Sequence, residues 1–328
     1  MKVTIRGVVV AIGAICGVLW AALIAVWWLA IPKEARGRSW HYVLPVIPLA
    51  VGAAAGVLPA SALRDSLDLW LLSGGGVLLV VLPAWAWGAA IRNHGVMDIC
   101  YPAIPVAVAG AVLWARGRSP DAGTALLLVL LLVWSVRLIV QTWGHNMGSE
   151  RQPYAHWRGR FGRRWIWWSL FQIHLLQGIT VWLWCAPLVF ALTAPGPIPW
   201  PIALAGAGVW LAGFLLQWTA DRQLAAFKGA PDNRGRLLDS GVWRWVRHPN
   251  YLGETLMWCA WFVFALAHPY GALTAFGPLF TGWFMGYASA APFKEMHMAR
   301  TRGEAWAAYC ARTPRFLPWP RPRPTSRP

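Results

Sequence analysis

The sequence predicts an all-α integral membrane protein, and three observations lead to this fold class. Of the 328 residues, 58% are hydrophobic and only 12% are charged, whereas soluble proteins carry about 25% charged residues. The apolar residues form runs long enough to cross a bilayer, which takes about 20 residues of helix. The chain also contains 26 tryptophans, and many of them flank these runs, as is typical of residues at a membrane–water interface.

Each sufficiently long apolar run predicts one transmembrane helix, and about nine can be counted. The first run is longer than the hydrophobic part of a secretory signal and shows no small-residue cleavage site, so it predicts a membrane helix and not a leader. The predicted spans cover residues 8–31, 42–63, 70–91, 96–114, 124–143, 170–192, 200–220, 251–267 and 271–291.

The loops between these runs predict the orientation. The loop at 32–41, the segments 144–169 and 221–250, and the region after 292 are rich in Lys and Arg and all follow odd-numbered spans. Basic loops stay on the cytoplasmic side of a membrane. We therefore expect a cytoplasmic C-terminus. Residues 321–328 alternate Pro with Arg and are expected to form a disordered basic tail.

The formal net charge of +17 admits two interpretations, nucleic-acid binding and basic cytoplasmic loops. Because the arginines lie between apolar runs and not on one soluble domain, we favour the loops and expect no nucleic-acid partner. The five cysteines include no CxxC pair, so we expect no metal site.

The segment from Asp221 to Glu254 has a composition unlike that of a plain connector. Pro249 suits the first position of a helix, which puts His248 near the N-cap. A helix N-terminus attracts anions, and the preceding Arg and Trp side chains could hold phosphates and stack on a ring. The same residue types also anchor helices at membrane interfaces. The residues alone therefore leave a nucleotide site and a structural role open.

Several polar residues accompany the apolar helices and are candidates to hold a substrate oxygen. Glu150 and Tyr154 lie in the loop at 144–169, and Tyr101 lies at the start of the fourth predicted span. Glu254 lies one turn into a membrane helix, where a carboxylate is expensive and marks a functional candidate. The alternatives are ordinary structural hydrogen bonds for the first three and a first-turn acid that complements the helix dipole for Glu254.

The run from Gly241 to Glu254, GVWRWVRHPNYLGE, resembles the signature of the steroid 5-alpha-reductase-like membrane proteins, and within them the bacterial DUF1295 family. The resemblance covers about residues 90 to 320. It predicts a reductase-like membrane domain at 91–320, preceded by further transmembrane helices at 1–90. The matching positions outside the signature are Asp98 in a V-D-I element, Asp221, Gln223, Phe227, Lys228, Asn233, Arg234, Gly235, Asp239, Trp258, Pro292, Glu295, Tyr309, Thr313, Phe316, Pro318 and Trp319.

The resemblance implies an NADPH-dependent reduction of a carbon–carbon double bond conjugated to a carbonyl group, in a steroid-like or other lipid. It implies that the C-terminal half binds the cofactor and that the protein lies in the bacterial inner (plasma) membrane, where the bilayer delivers a lipid-like enone. For catalysis we favour Tyr154 paired with Glu150, with Tyr101 as the second choice. The implied cofactor contacts are Arg236, Asp239, Trp243, Arg247, His248, Asn250, Tyr251, Glu254, Arg302, Tyr309 and Arg312.

Two other functions stay open. The isoprenylcysteine carboxyl methyltransferases share an R-H-P-x-Y motif and use S-adenosylmethionine, although the N-Y-L-G-E continuation here favours the reductases. The usual E-D-x-R-Y element of the DUF1295 family reads E-R-Q-P-Y at 150–154, and its V-D-I element is followed by Cys100-Tyr101 in place of G-W. These departures keep a non-catalytic lipid-binding protein among the alternatives.

Overall fold

The computed structural model describes residues 2–37, 39–288 and 290–318, and this part of the chain is helical and contains no β-strand. The predicted all-α class is confirmed. The predicted tail at 321–328 lies outside the described residues. In chain order the helices are α1 (Lys2–Ala30), α2 (Trp40–Val43), α3 (Ile47–Val57), α4 (Ala62–Ala90), α5 (Val96–Cys100), α6 (Ala103–Arg116), α7 (Ala122–Asn146), α8 (Tyr154–Phe161), α9 (Trp165–Ser169), α10 (Leu176–Trp184), α11 (Ala186–Leu192), α12 (Trp200–Gly229), α13 (Pro249–Ala265), α14 (Phe276–Trp283) and α15 (Ala290–Arg312).

Within the described residues, four helical stretches are long and apolar enough to cross a membrane: Trp40–Val57, α4, α7 and α12. A fifth is added if Tyr154–Trp184 and Ala186–Leu192, which meet at a 48° bend, count as one span. The apolar helix α6 is shorter. The chain is therefore a membrane protein with four to five candidate spans, and the larger count of nine stays a prediction.

Several of the predicted spans do not correspond to one long, continuous helix. The predicted span at 96–114 is divided into α5 and α6 around Tyr101 and Pro102. The predicted span at 251–267 overlaps α13, an uninterrupted helix of 17 residues. The last predicted span is divided into a 3₁₀ turn, α14 and a π-helical turn at Phe284–Ala288. Hydrophobicity alone does not register these interruptions, because every piece remains apolar.

One compact unit comprises Met1–Pro120 and Leu131–Pro195. In it α4 packs against α6 through Gly76, where a Cβ would lie 2.7 Å from the carbonyl oxygen of Ala107. A π-helical turn at Leu170–Leu175 joins α9 to α10. Such a turn changes the direction of the side chains that follow it and is frequent at functional sites.

The second compact unit comprises Asp121–Leu130 and Gly196–Pro328. Here α12 and α13 pack closely because two glycines face each other: a Cβ on Gly213 or on Gly253 would lie 2.6 Å from the carbonyl oxygen of the other. Pro249 begins α13 and His248 is its N-cap residue, as the sequence predicts. The helix α15 is interrupted at Gly303, whose φ of 49° is accessible to glycine at little cost.

Candidate functional site

The unit formed by Met1–Pro120 and Leu131–Pro195 holds a buried polar cluster around Tyr154, the first residue of α8. Only 8% of Tyr154 is exposed, and its hydroxyl donates a hydrogen bond of 2.7 Å to Oδ1 of Asp98 on α5. The side-chain amide of Gln177 on α10 interacts with the same hydroxyl. The phenol of Tyr154 is thus fixed by partners from two other helices.

Glu150 is held by an ion pair in the loop before α8. Arg158 donates to its carboxylate from Nε at 2.5 Å and from Nη2 at 2.9 Å, and the backbone N–H of His94 donates at 2.9 Å. Burial by itself would raise the pKa of Glu150, but these hydrogen bonds and the charge of Arg158 outweigh it and lower the pKa. Glu150 is therefore an ionised acceptor at neutral pH and not a proton donor.

Two buried histidines belong to this cluster, and neither was predicted from the sequence. Nδ1 of His94 lies 3.1 Å from Nε2 of His174, which sits on the π-helical turn before α10. Gln172, on the same turn, is hydrogen-bonded to His41 at 2.8 Å. Burial and then the charge of Arg158 lower the pKa of His94 to about 4, so that His94 is neutral at pH 7. These contacts depend on the irregular turn, which has no simple periodicity in the sequence.

Of the three residues favoured for catalysis, the structure brings Glu150 and Tyr154 into this cluster. The hydroxyl of Tyr154 donates to Asp98 and not to Glu150, so the expected pairing is replaced by one with the V-D-I element. The ring of Tyr101 packs edge-on against Trp134, with 6.4 Å between the ring centroids. The catalytic roles of these residues stay predictions.

The second unit, Asp121–Leu130 and Gly196–Pro328, contains a buried ionic cluster, which we define as Arg247, His248, Glu295 and Arg315. Oε1 of Glu295 accepts from Nε of Arg247 at 2.9 Å and lies 3.2 Å from Nε2 of His248. Oε2 accepts from Arg315 at 2.7 and 2.9 Å. Arg247 also donates to the carbonyl oxygen of Thr313 at 3.1 Å. The ionic cluster thereby fastens the segment that follows α15 to the start of α13.

Burial and charge set the protonation of this ionic cluster. Burial alone would raise the pKa of Glu295, but hydrogen bonds with His248 and Arg315 and the charges of Arg247 and Arg315 lower it to about 2. Burial lowers the pKa of His248, although Glu295 opposes this effect. At pH 7 the cluster therefore contains an ionised carboxylate, two guanidinium groups and a neutral imidazole.

A second group of the expected cofactor residues lies at the surface of the same unit. Arg312 forms an ion pair with Asp239, and both side chains are about half exposed. Nε of Arg302 donates to the carbonyl oxygen of Arg236 at 3.3 Å, while the side chain of Arg236 is exposed. We call Arg236, Asp239, Arg302 and Arg312 the exposed basic group. Its guanidinium groups are accessible to an anionic ligand.

Trp243 and Tyr309 support this surface from inside. The hydroxyl of Tyr309 donates to the carbonyl oxygen of Trp243, and the indole N–H of Trp243 donates to the carbonyl oxygen of Ala220 on α12 at 3.2 Å. The guanidinium of Arg312 lies over the ring of Tyr309 at 5.7 Å from its centroid. Both aromatic residues are buried, so these contacts fix the backbone that carries the exposed basic group.

The remaining expected contacts lie on the first two turns of α13. The ring of Tyr251 stacks on His248 with 5.5 Å between centroids, and the amide of Asn250 is 3.5 Å from Asp221. Glu254 is 2% exposed and accepts hydrogen bonds from Gln217 at 2.9 Å and from Trp258 at 3.1 Å. Glu254 is therefore enclosed between α12 and α13.

The hydrogen-bond donors present in this unit fit a phosphorylated nucleotide. The exposed residues and the buried residues suit different roles in holding it. The exposed basic group offers guanidinium forks for phosphate oxygens and, at Asp239, a carboxylate that can accept from a ribose hydroxyl. Nε of Arg247 and Nε2 of His248 are already engaged by Glu295, and Nη1 of Arg247 donates to the carbonyl oxygen of Thr313. The buried residues therefore suit a supporting role, although all eleven assignments stay predictions.

Comparison with known proteins identifies relatives of the same kind. Delta(14)-sterol reductase LBR of Gallus gallus is 29% identical over 164 residues, which are 44% of this chain and 24% of that protein. Delta(14)-sterol reductase TM7SF2 of Mus musculus is 30% identical over 170 residues, or 45% and 39% of the two chains. An uncharacterized protein of Schizosaccharomyces pombe is 26% identical over 223 residues, or 58% and 63%. The chain thus spans less than two thirds of the length of each of these relatives.

The family comparison covers more of the chain than any of these pairs. The family described as "Protein of unknown function (DUF1295)" matches residues 84–313, close to the region of resemblance predicted from the sequence. The match covers well over half of the 328 residues. The chain therefore belongs to the DUF1295 family and is related to sterol reductases.

Proposed function

We propose that this protein is a membrane-embedded, NADPH-dependent reductase of a carbon–carbon double bond conjugated to a carbonyl group in a steroid-like or other lipid. The two relatives named as Delta(14)-sterol reductases support a reductase, and the conjugated carbonyl group is what the resemblance to the steroid 5-alpha-reductase-like proteins implies. The structural observation that carries the proposal is the buried hydroxyl of Tyr154, which two neighbouring helices fix in position. A buried, oriented O–H donor is what a carbonyl oxygen requires when it gains negative charge.

Tyr154 is better suited to this role than Glu150. Glu150 is ionised and its oxygens accept from Arg158 and His94. Tyr154 retains its proton and would turn its O–H from Asp98 to the carbonyl oxygen of the lipid, where it would stabilise the developing negative charge. Asp98 would hold the hydroxyl in place when no lipid is bound.

The exposed basic group would hold the cofactor. Arg236 and Arg302 would bind phosphate oxygens, and Asp239 with Arg312 would accept from and donate to a ribose. When bound, NADPH supplies a hydride. The proposal includes the bacterial inner membrane as location, a cytoplasmic C-terminus, and the bilayer as the source of the apolar substrate.

The test begins with equilibrium binding of NADPH, NADH and S-adenosylmethionine to the detergent-purified full chain. We expect NADPH to bind and Arg236→Ala to weaken it about tenfold, as one phosphate contact would. The matched control is Arg300→Ala, which removes another exposed arginine, located on α15. Binding of S-adenosylmethionine without NADPH would replace the reductase by a methyltransferase. Binding of neither would leave a non-catalytic lipid-binding role.

A further inference from the structure

Two buried polar atoms in the cluster around Tyr154 have no hydrogen-bond partner among the described residues. They are Oε1 of Gln177 on α10 and Nδ1 of His174 on the turn before it. The side chain of His174 is 0% exposed. An unpaired buried polar atom costs about 1 to 3 kcal/mol, so a native protein rarely keeps one unless a ligand or water completes it.

The hydrogen bonds of Tyr154 determine what the partner of Gln177 must be. A tyrosine hydroxyl has one proton, and that of Tyr154 is donated to Asp98. Oε1 of Gln177 is the unpaired atom of its amide, and the NH₂ group is the part of the amide that can donate to the oxygen of Tyr154. An amide oxygen accepts but never donates. The missing partner is therefore a hydrogen-bond donor.

His174 narrows the chemistry further. It lies three residues before Gln177, on the π-helical turn that leads into α10. Its Nε2 faces Nδ1 of His94 at 3.1 Å, which leaves its own Nδ1 as a donor or an acceptor, depending on the tautomer. A hydroxyl group satisfies both atoms when Nδ1 of His174 carries the proton, because the hydroxyl donates its single proton to Gln177 and its oxygen accepts from His174.

We propose that Gln177 and His174 recognise a hydroxyl group of the lipid substrate, placed near the carbonyl group that Tyr154 binds. The inference rests on the proposed reductase function, since it takes Tyr154 as the carbonyl donor. Gln177 touches Tyr154 directly. Three hydrogen bonds of about 2.8 Å and the width of the amide group separate the two oxygens, so the hydroxyl oxygen lies at most about 11 Å from the carbonyl oxygen and closer where this path bends. We therefore expect the hydroxyl group on the part of the lipid that adjoins the carbonyl group.

A matched pair of steroid enones tests the proposal. The probes are androstenedione and its 6β-hydroxy derivative, whose hydroxyl lies on the ring next to the enone, with testosterone as the ligand whose hydroxyl is remote. Binding to the purified full chain is measured by tryptophan fluorescence. We expect the 6β-hydroxy ligand to bind about tenfold more tightly than the other two. The ratio between two ligands is the readout, because a general disturbance of the site affects both alike.

The variants assign this ratio to Gln177. Gln177→Met keeps the side-chain length but removes the acceptor, and it should bring the ratio close to one. His174→Phe should also reduce the ratio of the two affinities, and it provides the alternative test if Gln177→Met does not fold. Gln141→Leu, an exposed position on α7, should keep the ratio of the wild type. Equal binding of the three steroids to the wild type, or an unchanged ratio in Gln177→Met, overturns the proposal and leaves water as the partner of Gln177.

A different lipid scaffold is covered by a second measurement. If no steroid binds, lipids that stay bound through purification are extracted and identified by mass spectrometry. The proposal then requires a hydroxylated lipid that the wild type retains and Gln177→Met does not, and it is overturned if there is none. NADPH binding is measured in parallel. If the protein binds no NADPH but still prefers the hydroxylated ligand, the reductase function is refuted and the hydroxyl-binding site is retained.

Discussion

Glu295 offers the sharpest test of how the C-terminal unit is held together, because three basic side chains share its carboxylate. Glu295→Gln keeps the shape of the side chain and removes its charge. Arg247, which is 6% exposed, would then keep a positive charge in a buried place without this counter-ion. The substitution should destabilise the fold at pH 7.

Two estimates of the cost agree. Removing one partner of a buried ion pair costs about 3 to 5 kcal/mol. The pKa of Glu295 is lowered from the ordinary 4.5 to about 2, which corresponds to roughly 3 kcal/mol of stability. The contact with Arg315 adds less, since that side chain is 35% exposed and its charge is screened by water.

The pH dependence has a definite sign. Because the folded pKa of Glu295 is depressed, its contribution is fully present above pH 4.5 and is lost as the pH falls towards 2. About 2 kcal/mol should disappear between pH 5 and pH 3. The lowered pKa of His248 adds a further loss of stability as the pH falls below 6.5, since the unfolded imidazole binds a proton more readily.

The assay is denaturation of the detergent-purified protein in mixed micelles, followed by tryptophan fluorescence at several pH values. The wild-type curve should be steeper between pH 5 and pH 3 than the curve of Glu295→Gln. Glu304→Gln, an exposed position on the same helix, should behave as the wild type. A Glu295→Gln protein as stable as the wild type at pH 7, with the same slope below pH 5, would refute this account of the ionic cluster.

Three further outcomes are expected. Tyr154→Phe should lower the rate of enone reduction about 100-fold without changing NADPH affinity, because only the carbonyl hydrogen bond is lost; single-turnover kinetics and equilibrium binding check this. With Arg236 assigned to the ribose 2′-phosphate, which NADH lacks, Arg236→Ala should reduce the preference for NADPH over NADH about tenfold, measured as a ratio of dissociation constants. Gly253→Ala should cost about 1 to 3 kcal/mol, because its Cβ would lie 2.6 Å from Gly213; Gly208→Ala, with open space around it, should be neutral in the same denaturation assay.

The sequence was informative about the fold class because bilayer solvation selects apolar helices by length and composition. It was also informative about one local geometry: Pro249 predicted the start of α13 and the N-cap position of His248, and both are confirmed. The number of spans was harder to predict. Pro102 and the turns after Ala265 interrupt stretches that remain apolar throughout, and a hydropathy pattern cannot distinguish a continuous helix from its pieces.

The candidate sites show a second limit, which concerns the accessibility of residues and not their identity. The signature pointed to Arg247 and His248 as cofactor contacts. Their side chains are buried and contact Glu295, which lies 47 to 48 residues further along the chain. Opposite charges far apart in sequence attract each other only once the fold brings them together, and the signature does not reveal which arginine pairs internally. The same holds for Tyr154, whose hydroxyl meets Asp98 across 56 residues. If Arg247 and His248 act through position, exchanging exposed Arg236 should change nucleotide affinity at constant stability, whereas exchanging Arg247 should change both together.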